Sequence, residues 1–72
     1  MNLMQARAGE TVCIAAVEQC GAYRRLLDFG FTPGTEVTVR NVAIGGTMLV
    51  ALRGYTLALR ANAGKHVVVT RN

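Results

Sequence analysis

Within a dozen residues, Leu26-Leu27-Asp28-Phe29-Gly30-Phe31-Thr32-Pro33-Gly34-Thr35-Glu36-Val37 encodes a helix end, a glycine stop, a tight turn and the start of a strand. Tyr23, Leu26 and Leu27 recur at helical spacing while Arg24, Arg25 and Asp28 face away, the pattern of one short amphipathic helix. The helix is expected from about Ala22 to Phe29 and is too short to persist unless its apolar stripe docks on a sheet. With Gly30 in the left-handed position just past the helix, Leu26 and Phe31 occupy the two places whose side chains meet in a Schellman cap. Pro33-Gly34 then fits the centre of a type II turn, because proline presets the first angle and glycine supplies the positive one. The chain reverses into a strand at Thr35.

Around this corner the sequence reads as short strands. Thr11 to Val17 is β-branched and apolar at alternate and intervening positions, which predicts a first strand buried on both faces. Glu36 to Arg40 alternates cleanly, placing Val37 and Val39 inward and Glu36, Thr38 and Arg40 outward. Gly45-Gly46 supplies a turn, after which Met48 to Leu52 reads as a central strand, apolar on both sides. Arg53-Gly54 reverses the chain again into Tyr55 to Arg60, with Tyr55, Leu57 and Leu59 on one face. Ala61 to Lys65 is a brief break, a single 3₁₀ turn, before a fifth strand over His66 to Thr70. Five short strands with one helix between the first and second predict a mainly β fold, a small closed SH3-like barrel, since closure removes exposed edges. Residues 1–72 are expected to form a single domain, with no repeat, linker or low-complexity tract.

A chain of 72 residues buries only roughly 60% of the surface its unfolded form exposes, so every large apolar side chain counts. Half the residues are hydrophobic and none is Trp, which implies a core of Val, Leu, Ile, Ala and Met. The net charge is +4, compatible with nucleic acid, an acidic protein face or a membrane surface. Two cysteines, Cys13 and Cys20, are fewer than a disulfide-built secreted domain of this size carries, which favours a reduced cytosolic setting. No signal-peptide pattern opens the sequence, and no segment reaches the ~18 continuous apolar residues of a membrane span.

The chemistry of catalysis is missing: one His, no Ser and four scattered acids offer neither an activated nucleophile nor paired carboxylates. The chain is therefore expected not to be an enzyme and to hold no cofactor. His66 reads as a strand-edge residue beside Lys65. Cys13 and Cys20 are separated by six intervening residues, against the two to four of a zinc knuckle, and read as small core residues, so no metal site is assigned. Gly45-Gly46 lacks the lysine and hydroxyl of a phosphate loop. Arg24, Arg25, Arg40, Arg53, Arg60, Lys65 and Arg71 are spread along the chain, and Tyr23, Phe29, Phe31 and Tyr55 read mostly as packing residues, so nucleic acid is not expected as a partner.

The chain resembles the FeoA family, the small cytosolic component of the bacterial Feo ferrous-iron uptake system. Carrying the resemblance are Gly9-Glu10, the run from Arg25 through Leu26, Gly30, Phe31 and Pro33 to Gly34 with Val37, and Arg53-Gly54-Tyr55-Thr56-Leu57-Ala58-Leu59-Arg60. Two places depart from the family pattern. The loop often reading Pro-x-Gly-Asp-Pro is Ala43-Ile44-Gly45-Gly46-Thr47, and the final crossover reads Ala61-Asn62-Ala63-Gly64 instead of carrying a Glu-Ala pair. Membership implies an SH3-like barrel that binds the cytoplasmic side of the membrane permease FeoB, and supports ferrous-iron transport without catalysing a reaction. A similar domain ends the iron-dependent repressors, where it follows a DNA-binding region; a free-standing cytoplasmic protein is the expectation here. For docking, the residues singled out are Arg24 and Arg25 on the helix with Arg53 and Tyr55 at the hairpin, because basic side chains beside a half-exposed aromatic anchor acidic partners. Leu26, Gly30, Phe31, Pro33, Gly34, Gly54, Leu57 and Leu59 are assigned to the frame. The alternatives are a basic barrel binding RNA and an iron-responsive module using Cys13, Cys20 and His66. Weak self-association through an exposed strand is a further expectation.

Overall fold

A computed structural model describes residues 1–42 and 45–71; Ala43 and Ile44, within the departing loop, lie outside them. Five strands, β1 (Thr11–Val17), β2 (Glu36–Val42), β3 (Thr47–Leu52), β4 (Tyr55–Arg60) and β5 (Val67–Arg71), form one antiparallel sheet in the order β4-β3-β2-β1-β5. The helix α1 (Tyr23–Phe29) lies between β1 and β2, and a one-turn helix α2 (Ala61–Gly64) joins β4 to β5. A 3₁₀ turn at Leu3–Gln5 precedes β1.

The helix ends as its sequence requires. Gly30 has φ 105°, Phe31 N–H donates to the Leu26 carbonyl (3.0 Å) and Gly30 N–H to that of Leu27 (3.0 Å), which is the bonding of a Schellman cap. Leu26 and Phe31 are both buried. Thr35 N–H then reaches the Thr32 carbonyl (3.1 Å) across Pro33-Gly34, with Gly34 at φ 91°, as a type II turn demands. Val37 and Val39 point inward on β2, and Glu36 and Arg40 outward.

Three strand expectations are corrected. β1 and β3 are not buried on both faces: Val12 and Ile14, and Met48, Val50 and Leu52, are buried, whereas Ala15, Ala16 and Leu49 are exposed. A small sheet has only one interior, so continuous apolarity in its strands reflects small or tolerated surface residues instead of a second packed layer. Along β4 only Leu59 is buried, Leu57 is half-buried and Tyr55 is exposed, as suits an end strand with a neighbour on one side only. Register shifts between Ile14 and Ala16 and between Val39 and Asn41 bend the sheet around its contents, as bulges do.

The sheet does not close. Among the described residues β4 and β5 are not paired, and the gap is filled from the N-terminus. Leu3 of the 3₁₀ turn is fully buried, and Met4 packs where a Cβ on Gly64 of α2 would collide with its Sδ. Asn2 caps that turn through its side chain, which accepts from Met4 N–H (2.9 Å), while Gln5 Oε1 accepts from Asn2 N–H (2.8 Å), a capping box absent from the sequence reading. Val69 N–H also bonds the Met1 carbonyl (2.8 Å), so the first residues shield the outer edge of β5.

At the other end of the strands, Glu10 accepts from the Arg71 guanidinium and from Arg7 N–H (2.9 Å). The Arg71 hydrogen bond foremost, then that of Arg7, holds its carboxyl below the ordinary value of 4.5. A carboxylate lowered in the folded state stabilises the fold above its unfolded value and loses that contribution as pH falls through the folded value. Glu10→Gln should therefore be less stable than wild type at neutral pH, the difference shrinking toward zero as the pH falls below 4.5, read by urea denaturation across that range. Gly30→Ala would place Cβ 2.8 Å from Arg53 Cδ besides straining the left-handed backbone, and should lower stability by about 1–2 kcal/mol with the denaturant slope unchanged.

Candidate functional site

A two-residue turn of positive φ, Arg53 at 48° and Gly54 at 84°, joins β3 to β4 and brings the hairpin back against the end of α1, as a type I′ turn matched to strand twist does. Arg53 is the one non-glycine residue with positive φ among those described. Its stem crosses Gly30, where only a missing side chain leaves room. Its guanidinium donates to the hydroxyls of Thr32 and Thr35, each at 3.1 Å, which bond one another at 3.0 Å. Tyr55 Oη donates to the Phe29 carbonyl, one of the helix-terminal acceptors without a partner in the helix. Arg53 and Tyr55 thus fasten the hairpin to the helix end.

Beside this clamp lies a groove of about 230 Å³ between α1 and β4. Leu26, Leu57 and Leu59 supply apolar surface, and Arg25, Phe29 and Arg60 form its rim. Phe29 is 40% exposed, and Arg24, Arg25 and Arg60 are exposed. The four residues singled out for docking therefore divide: Arg25 borders the groove, Arg24 is exposed on the helix but does not line it, and Arg53 and Tyr55 fasten the hairpin to the helix end. Phe29 and Arg60 were missed as site residues. On a helical wheel Phe29 falls about 60° from Leu26, on the side of Arg25, which places it on the flank between the buried and the exposed faces. Arg60 gave no signal, since only the fold brings the end of β4 beside α1.

The other candidates stay apart. His66 Nδ1 lies 3.3 Å from Glu18 Oε1, Cys20 packs against the core, and among the described residues no three His, Cys, Asp or Glu side chains gather where a metal ion could sit. Phe31 is wholly buried. No helix among the described residues is long and apolar enough to cross a membrane.

The FeoA domain model matches residues 1–71. The chain belongs to the FeoA family. A FeoA-like protein of Clostridium acetobutylicum superposes with a TM-score of 0.91 at 26% identity, over 99% of this chain and 85% of that one. FeoA of Stenotrophomonas maltophilia, solved with zinc and described as an SH3 domain protein and candidate ferrous-iron transport activating factor, gives 0.88 at 28% identity, over 97% and 89%. A manganese-dependent transcriptional repressor shares the fold alone, with a TM-score of 0.90 at 20% identity over 100% of this chain and 41% of that one. Among curated proteins none is significantly similar in sequence. The FeoA frame read from Leu26, Gly30, Phe31, Pro33 and Gly34 is the corner on which the groove and the clamp are built.

The clamp is a short network, so its members should not act independently. Arg53→Ala and Thr35→Val should each destabilise by about 1 kcal/mol, and the double variant by less than their sum, as a thermodynamic cycle from urea denaturation would show.

Proposed function

We propose that this FeoA protein is a non-catalytic adaptor of ferrous-iron uptake that works in the cytoplasm by docking on an FeoB-type permease. The observation that carries this reading is the family match over residues 1–71 on a domain whose distinctive surface is a groove rimmed by Arg25, Phe29 and Arg60. A description as a transport activating factor attaches to the S. maltophilia relative, and an adaptor is the simplest form such an activity takes on so small a frame.

An adaptor changes its partner only through differential affinity: to shift a two-state permease tenfold it must bind one state about 1.4 kcal/mol more tightly than the other. The physical means are at hand. Exposed arginines steer an acidic partner and add long-range attraction, while Phe29, 40% exposed at the groove, offers an aromatic anchor. Arg53 and Tyr55 contribute by setting the position of the hairpin against the helix end.

Calorimetry with the cytoplasmic region of FeoB should show association that weakens about tenfold or more in the Arg24→Glu, Arg25→Glu double variant and at raised ionic strength. Absence of binding both to that region and to the full-length permease in detergent would overturn the adaptor reading.

A further inference from the structure

We infer that the docking partner enters this face as an extended, acidic segment that adds to the sheet as a sixth strand along the free edge of β4. The inference rests on the adaptor reading and specifies the chemistry of what binds.

The backbone supports it first. β4 is an end strand, paired on one side with β3 in the register Leu52↔Tyr55, Val50↔Leu57, Met48↔Leu59. The two-residue turn makes Leu52 and Tyr55 a hydrogen-bonded pair, and alternation then directs the N–H and C=O of Tyr55, Leu57 and Leu59 toward β3. Those of Thr56 and Ala58 and the N–H of Arg60 point the other way, and among the described residues no strand pairs with them; the Arg60 carbonyl, at the N-cap of α2, is taken by the first bond of that helix. All three residues are exposed. At the opposite end of the sheet the edge of β5 is covered by Met1 and Asn2, so the molecule shields one edge and leaves the other ready to pair.

The groove gives the added strand a place for its side chains. An extended segment beside β4 presents alternate residues to the Leu26, Leu57 and Leu59 surface of the groove and the intervening ones to solvent, the arrangement of strand addition into a slot between an edge strand and a helix. The clamp from Tyr55 to Phe29 marks one end of that slot and Ala63 of α2 the other.

Charge selects the occupant. Arg25 and Arg60 line the groove, and among the described residues no acidic residue lines it and neither arginine is in an ion pair. Opposite charges beside an edge stabilise a strand pair, and like charges do the reverse. A second copy of this chain would bring the same arginines together, on a molecule of net charge +4, so an acidic partner segment is favoured over self-pairing.

The test uses the full chain, isotopically labelled, with a short acetylated peptide of alternating Glu and Val as the probe. Binding should protect the amides of Thr56, Ala58 and Arg60 from hydrogen exchange by about tenfold or more at saturation. A matching Lys and Val peptide should bind at least about tenfold more weakly, and that preference should invert in the Arg25→Glu, Arg60→Glu variant. Methylating alternate peptide nitrogens should abolish binding in one phase of the alternation and spare it in the other. Ala58→Pro, tolerated on an edge whose N–H faces outward, should remove binding of both the peptide and FeoB. Strand addition is overturned if those three amides gain no protection, if both methylated peptides bind like the parent, or if they are already protected through self-association without peptide. FeoB binding that survives in Ala58→Pro while Arg24→Glu, Arg25→Glu abolishes it overturns strand addition and leaves the adaptor reading standing. Peptide bound along β4 by a chain that ignores FeoB overturns the adaptor reading alone.

Discussion

The left-handed backbone at Gly30 is the constraint on which the rest of this small FeoA domain depends. By ending α1 there, it turns the Leu26 carbonyl to Phe31 N–H and places both side chains in the interior, so the helix is attached to the core at its own stop signal. Absence of a side chain at the same glycine lets Arg53 cross and reach Thr32 and Thr35. One residue thereby links the helix, the turn before β2 and the β3–β4 hairpin. In a domain with so little interior, such a shared joint replaces the packing that a larger protein would use.

The second governing feature is asymmetry between the edges of an incompletely closed sheet. The N-terminal segment fills the gap and covers β5 with Met1, Asn2 and Leu3, while β4 retains outward-facing backbone groups beside an apolar groove. An uncovered edge is an aggregation hazard unless something blunts it. Here the rim arginines and the net positive charge oppose self-pairing, and the same arginines define the sign of a partner that could use the edge.

Family membership and fold were readable because the informative residues act locally. Helical spacing, a glycine stop and a Pro-Gly turn depend on angles that nearest neighbours dictate, and the alternation of β2 depends only on the pleat. The face was half legible. Arg25 could be named from its outward place on the helix, but Arg53 and Tyr55, chosen as exposed anchors, have their polar groups bonded to Thr32, Thr35 and the Phe29 carbonyl. Those partners lie 18 to 26 residues away in the chain, a separation at which side-chain type carries no distance information. Asn2 and Gln5 went unread as a capping box because the turn they cap has too few residues to show a period.

By itself, the sequence determined the five strands, the helix α1, their order and the corner from Leu26 to Gly34, since each follows from local angles and spacing. Tertiary structure decided which apolar residues are buried, that β4 and β5 stay unpaired with the N-terminus between them, and that α1 and β4 stand apart across a groove. These outcomes turn on how a short sheet bends around one limited interior, and bending is the sum of bulges, twist and long-range contacts that no single stretch of chain contains.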